Sequence, residues 1–230
     1  MRQRTWLIGL ALLLAKGAES GPLFLTENFD SLPAAIASGW VLDNNSDPAG
    51  TTDWFQGNAA VFPAQSGPAD SYAAANFLNA APGGNISDWL LTPVLDVADG
   101  SILRFYTRST GSGFADGLEV RFSDAGASTD VGTTDTSIGD FTTLLLAINP
   151  SLDPMGYPDD WTAFEITVSG IGGISEGRFG FRYFVGDTLV NADYVAIDSV
   201  TVTAVPEPGT LVMGAGLLGL ALAGRARRRS

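Results

Sequence analysis

Between residues 21 and 205 no stretch sustains the 3.6-residue apolar period of an amphipathic helix, and this confines the chain to β-structure. In its place stand short runs rich in β-branched and aromatic residues: 101–109 (SILRFYTRS), 118–123 (LEVRFS), 142–148 (TTLLLAI), 162–169 (TAFEITVS), 178–185 (RFGFRYFV) and 194–203 (YVAIDSVTVT). Clusters of Gly, Asp, Asn, Ser and Pro separate them, as turn chemistry demands. Within 178–185, Phe179, Phe181, Tyr183 and Val185 alternate with Arg178, Gly180, Arg182 and Phe184, so an extended segment turns one aromatic face inward. Many such strands close into a sandwich or a barrel. Two sheets of about four strands suit the length, which predicts an all-β, jelly-roll β-sandwich over residues 21–204.

The two ends are built differently. Arg2 and Arg4 precede an apolar run at 5–15 (TWLIGLALLLA), and the small residues Ala18 and Ser20 follow, the layout of a secretory signal peptide over residues 1–20. At the other end 209–224 (GTLVMGAGLLGLALAG) is apolar throughout and would reach roughly 24 Å as a helix. That is a little short of the ~30 Å hydrocarbon core, a mismatch that a transmembrane helix meets by snorkelling flanks. Arg225, Arg227, Arg228 and Arg229 then supply the positive charge that stays cytoplasmic, which puts the body outside. Pro206 and Pro208 disfavour helix in the residues before them and keep 205–208 extended, open to a processing enzyme. Gly214, Gly216 and Gly219 spell G-x-G-x-x-G, but no strand precedes them and a dinucleotide fold is rejected.

Charge and composition exclude whole classes of chemistry. The formal charge is −13, yet between residues 21 and 205 five arginines face 23 carboxylates, a net charge of −18. A body so negative repels phosphate backbones, so nucleic acid is no partner. Without cysteine there is no thiolate nucleophile and no Cys-based zinc site; without histidine the usual base of serine hydrolases is missing. GISEG at 173–177 fits G-x-S-x-G, but Ser175 has no base and reads as part of a glycine loop. The chemistry left open is that of paired carboxylates, a glycoside hydrolase, and Asp and Glu are too plentiful to nominate a pair.

Two kinds of binding site remain. Asp43, Asn45 and Asp47 alternate like the start of a calcium loop, but Pro48 replaces the turn glycine and Trp54 the closing glutamate. An Asx-rich turn is the simpler account, with a looser oxygen cage drawing on Asp53 as the other. Aromatic faces stack on sugar rings, although most tryptophans of a sandwich pack inside, as Trp89 in SDWLLTP does on this reading. Trp161, in a turn-rich stretch with Tyr157, is the candidate sugar platform.

Val205, Pro206, Glu207 and Pro208, then one apolar span, then the arginine cluster, resemble the PEP-CTERM sorting signal of Gram-negative bacteria. That resemblance implies an exosortase as partner: the tail is held transiently in the inner membrane and cut, and the body passes to the cell surface or extracellular matrix. The body is similar to the choice-of-anchor J domains of bacterial surface proteins, related to cleaved-adhesin and MAM-like jelly rolls. ENFDSLP, GWVLDNNS, WFQGNAAVFPAQSG, SYAAANF, ISDWLLTPVLDV and YVAIDSVTVTAV carry the likeness. It implies one cofactor, a structural calcium ion held by Glu27 and Asp198 with Asp30 as third ligand. Asp198 also interrupts an apolar strand, where a carboxylate needs a partner. Together these imply a non-catalytic structural, adhesive or carbohydrate-binding protein associated with exopolysaccharide or biofilm, with a carboxylate-dependent glycoside hydrolase as the alternative.

Overall fold

Thirteen strands, one short α-helix and one 3-10 turn (Phe77–Asn79) follow one another in the computed structural model, which describes residues 23–204. In chain order they are β1 (Leu23–Glu27), α1 (Leu32–Ala37), β2 (Val41–Asn44), β3 (Asp47–Ala49), β4 (Phe55–Gln56), β5 (Ala73–Asn76), β6 (Ala80–Leu91) and β7 (Leu95–Val97). Then come β8 (Ile102–Ser109), β9 (Gly117–Ser123), β10 (Thr143–Ile148), β11 (Thr162–Thr167), β12 (Ser175–Val185) and β13 (Tyr194–Thr203). The signal peptide, the sorting motif Val205, Pro206, Glu207 and Pro208, the transmembrane helix and the arginine cluster lie outside the described residues. Among the described residues no helix is long and apolar enough to cross a membrane.

The strands form two antiparallel sheets packed face to face. One runs β11-β8-β13-β5-β4, with β1 also on β13; the other runs β10-β9-β12-β6-β2, with β3 on β6 and β7 on β12. Each sheet exceeds the four strands expected because short pieces add on at the ends of long ones: β1 takes the second half of β13, from Leu23 opposite Thr203, and β5 takes the first half. The helix α1 is a second departure. Six residues are too few to show a period, and Ser31 starts it by accepting the Ala34 N–H.

The core lies between the sheets, where Phe179, Phe181, Tyr183 and Val185 of β12 meet Leu103 and Phe105 of β8 and Val195, Ile197, Val200 and Val202 of β13. An extra residue at Ser199, with φ at +52°, keeps Val200 and Val202 inward after Ile197. The outer faces are covered too. Residues 57–72 fold over the six-stranded sheet, where Phe62 and Tyr72 pack on Ala74, Tyr194 and Ala196. Residues 124–142 fold over the seven-stranded sheet, where Val131 and Phe141 pack on Trp89 and Leu91. Gly180 makes room for this: a Cβ there would lie 3.0 Å from the Phe141 ring. At Gly139, with φ at +47°, a Cβ would stand 2.1 Å from the Asp130 carbonyl oxygen, so only glycine closes that loop.

Candidate ligand-binding site

The three acids expected around calcium lie at one corner of the sandwich, but each has its own donors. Glu27 Oε1 accepts the Phe29 N–H at 2.7 Å, and Asp30 Oδ1 accepts the Ser71 hydroxyl at 2.8 Å. Asp198 is 0% exposed. Its Oδ2 accepts the N–H groups of Gln65 (2.9 Å) and Ser66 (3.1 Å), and its Oδ1 accepts that of Ser199. Burial pushes the Asp198 carboxyl up to about 6 against the pull of these donors. The need of a buried carboxylate for a partner is thus met by backbone N–H groups that tie residues 65–66 to β13. Among the described residues no three acids converge tightly enough to hold a metal. Asp198→Asn, which leaves one oxygen for three donors, is expected to cost about 1–2 kcal/mol in urea unfolding. The amides of Gln65 and Ser66 should lose protection from hydrogen exchange first.

The structure does not bring Tyr157 and Trp161 together. Tyr157 is 8% exposed and enters the core between the sheets, where its hydroxyl meets Thr107 Oγ1 at 2.6 Å. Trp161 lies on the opposite, outer face of the six-stranded sheet, partly buried. Its ring centroid stands 5.7 Å from both Phe62 and Tyr72, and its indole N–H donates to the Pro63 carbonyl at 2.9 Å. Its polar handle therefore fastens residues 57–72 to the sheet.

The surface near these two residues is nevertheless concave. A cleft of about 340 Å³ is lined by Gly111, Pro154, Met155, Gly156, Tyr157, Pro158 and Asp159, with Met155 82% exposed. Arg108 stiffens its rim: the guanidinium lies 4.3 Å from the Phe62 ring, donates to the Asp159 carbonyl and pairs with Asp160 at 3.4 Å. A second cleft, about 350 Å³, is lined by Asn44, Asn45, Ser46, Asp47, Thr133 and Thr134. Here the Asx turn is present, with Asn44 Oδ1 accepting the Ser46 N–H at 2.9 Å. The first cleft offers apolar ring and thioether surface beside a carboxylate; the second offers amides, hydroxyls and the Asp47 carboxylate, with no ring or thioether surface.

Other features of the sequence resolve plainly. Trp40 and Trp54 are core residues, whereas Trp89 is buried under residues 124–142. Ser175 opens β12 opposite Val97, with no strand-to-helix turn around it. Asp88 and Asp116 are fully buried acids that were not singled out. Burial, then the charge of Asp53, pushes the Asp88 carboxyl well above the carboxylate range. Burial, helped by the charge of Asp193, outweighs the donors of Asp116 and lifts it to about 6. The signal that marked Asp198, an acid inside an apolar strand, is equally present in ISDWLL.

No family model and no curated protein sequence matches the chain. Its fold is similar to that of solved cleaved adhesin domains of Lys-gingipain. The K1 domain from Porphyromonas gingivalis W83 is 18% identical with a TM-score of 0.54, covering 78% of this chain and 97% of the domain. The K2 domain is 17% identical with a TM-score of 0.55, covering 78% and 99%. The K3 domain from the same strain is 14% identical with a TM-score of 0.51, covering 80% and 100%. The class is therefore an all-β sandwich of two antiparallel sheets with the adhesin-domain fold.

Proposed function

We propose that the chain is an exported, non-catalytic β-sandwich that acts at the cell surface or in the extracellular matrix as an adhesive, carbohydrate-binding component. Residues 205–230 direct it there through an exosortase. The observation that carries this reading is the fold shared with domains named as adhesins over 78–80% of the chain. Composition supports it: with no histidine or cysteine, a catalytic site must rest on two carboxyls.

The ligand proposed is a neutral sugar chain of the exopolysaccharide, taken in the Gly111–Asp159 cleft. A sugar face packs on the proline and methionine surface, and its hydroxyls donate to the Asp159 carboxylate. An acidic polymer is disfavoured by the charge of −18 in the body. Isothermal titration of the full-length chain with the polysaccharide of the producing cells is expected to give saturable binding. Asp159→Ala or Met155→Asp should weaken it about tenfold, near 1.4 kcal/mol, with the melting temperature unchanged. Absence of heat, or equal binding by both variants, overturns the assignment.

A further inference from the structure

Asp88 is the one fully buried acid among the described residues with an oxygen, Oδ1, that meets no donor. It sits on the inward face of β6 beside Ile86 and Leu90, where an unpaired carboxylate is costly. Its other oxygen accepts the Asn79 amide. That amide cannot turn, because Asn79 Oδ1 already accepts the Asn76 N–H at 3.1 Å and the Thr52 hydroxyl at 2.7 Å. The group that does face Asp88 is a second acid. Asp53 lies within hydrogen-bonding reach, its Oδ1 fixed by the Trp54 N–H at 2.7 Å. Trp54 itself donates through its indole to the Asp88 carbonyl at 3.3 Å, which locks the two segments together.

No arginine neutralises this pair. Arg104, Arg108, Arg121 and Arg182 pair with Glu165, Asp160 and Glu119, and Arg178 donates to the carbonyls of Gly39 and Thr92. Two carboxyls that face each other in a nearly dry site must either share a proton or hold a cation between them. We propose that Asp53 and Asp88 are the carboxylate ligands of a calcium site, reached from solvent on the partly buried Asp53 side. Oxygen donors alone select a hard cation, and a fully buried Asp88 leaves little room for the several waters that magnesium keeps. The site is separate from the corner at Glu27, Asp30 and Asp198, and it does not depend on any sugar being bound.

The test uses the full-length chain stripped by chelation and melted at neutral pH with and without calcium chloride. Saturating calcium is expected to raise the melting temperature by roughly 5 °C. Asp53→Asn should abolish the rise and Asp198→Asn should keep it. Asp88→Asn lets an amide donate to Asp53 in place of the ion, so it should fold without metal and ignore calcium, which covers the case in which Asp53→Asn fails to fold. No calcium-induced shift in the parent chain overturns the proposal and leaves a shared proton as the positive partner. A shift lost in Asp198→Asn but kept in Asp53→Asn or Asp88→Asn also overturns it and moves the ion to the other corner.

Discussion

Replacing Arg182 by methionine is expected to lower the unfolding free energy by about 3 kcal/mol, and with it the melting temperature by about 6–12 °C. The guanidinium is buried on the outer face of β12 and serves three acceptors at once. Its Nε donates to Ser87 Oγ at 2.9 Å, one terminal nitrogen pairs with Glu119 at 3.1 Å, and the other donates to the Asp135 carbonyl. Its carbon lies 5.5 Å from the centre of the Trp89 ring. Methionine fills the space and supplies none of the donors, so a loop carbonyl and a buried hydroxyl lose their partners. Glu119 is spared the full penalty because Arg121 holds it at 2.7 Å. Lysine is expected to recover less than half of the loss, since an ammonium cannot present a planar fork. Urea unfolding followed by tryptophan fluorescence reads both variants; a methionine variant within about 1 kcal/mol of the parent would show the network to be ornamental.

Stability is expected to rise, not fall, as the pH drops from 7.5 to about 5. Burial lifts the Asp116 carboxyl from 3.8 to about 6, more than the Asp193 N–H and the Tyr183 hydroxyl draw it down. The folded chain therefore keeps a proton that the unfolded chain releases. The stabilisation is complete below about pH 3.8 and is lost as the pH climbs through about 6. A shift of about two units corresponds to about 2–3 kcal/mol. Asp198, raised for the same reason, acts in the same direction. Glu119 opposes them at the acid end: burial raises it, but Arg121 and Arg182 more than reverse this, and its contribution fades as the pH falls through its lowered value. A stability maximum near pH 5 follows, best measured in chelator so that no metal titrates with the protein. Asp116→Asn, which still accepts both hydrogen bonds, should flatten the slope between pH 5 and 7.5. A parent chain that melts no higher at pH 5 than at pH 7.5 contradicts the account, as does an unaltered slope in the variant.

The second half of the body was far more legible than the first. Strands from β8 to β13 carry long alternating runs, and each begins and ends within three residues of its sequence pattern. β3, β4 and β5 read DPA, FQ and AAAN, too short or too small-sided to signal anything, and β6 hides a twelve-residue strand behind a proline and two glycines. The candidate sites divide the same way. That Asp198 must be buried and partnered is a local inference from an acid in an apolar strand. That its partners are the N–H groups of residues 65 and 66 depends on a loop more than 130 residues distant. Trp161 looked accessible because its neighbours are turn formers, but the Pro63 carbonyl that claims its indole lies 98 residues away.

The pairing of Leu23 with Thr203 has a mechanical corollary. Both exits of the folded body open at one pole, while Ser109, which leads into Gly111, is aligned with Val195 toward the other end of β13. Along a ten-residue strand that is a lever of roughly 25–30 Å. A ligand taken in the cleft at Met155 is therefore held at the end of the body far from Leu23 and Thr203.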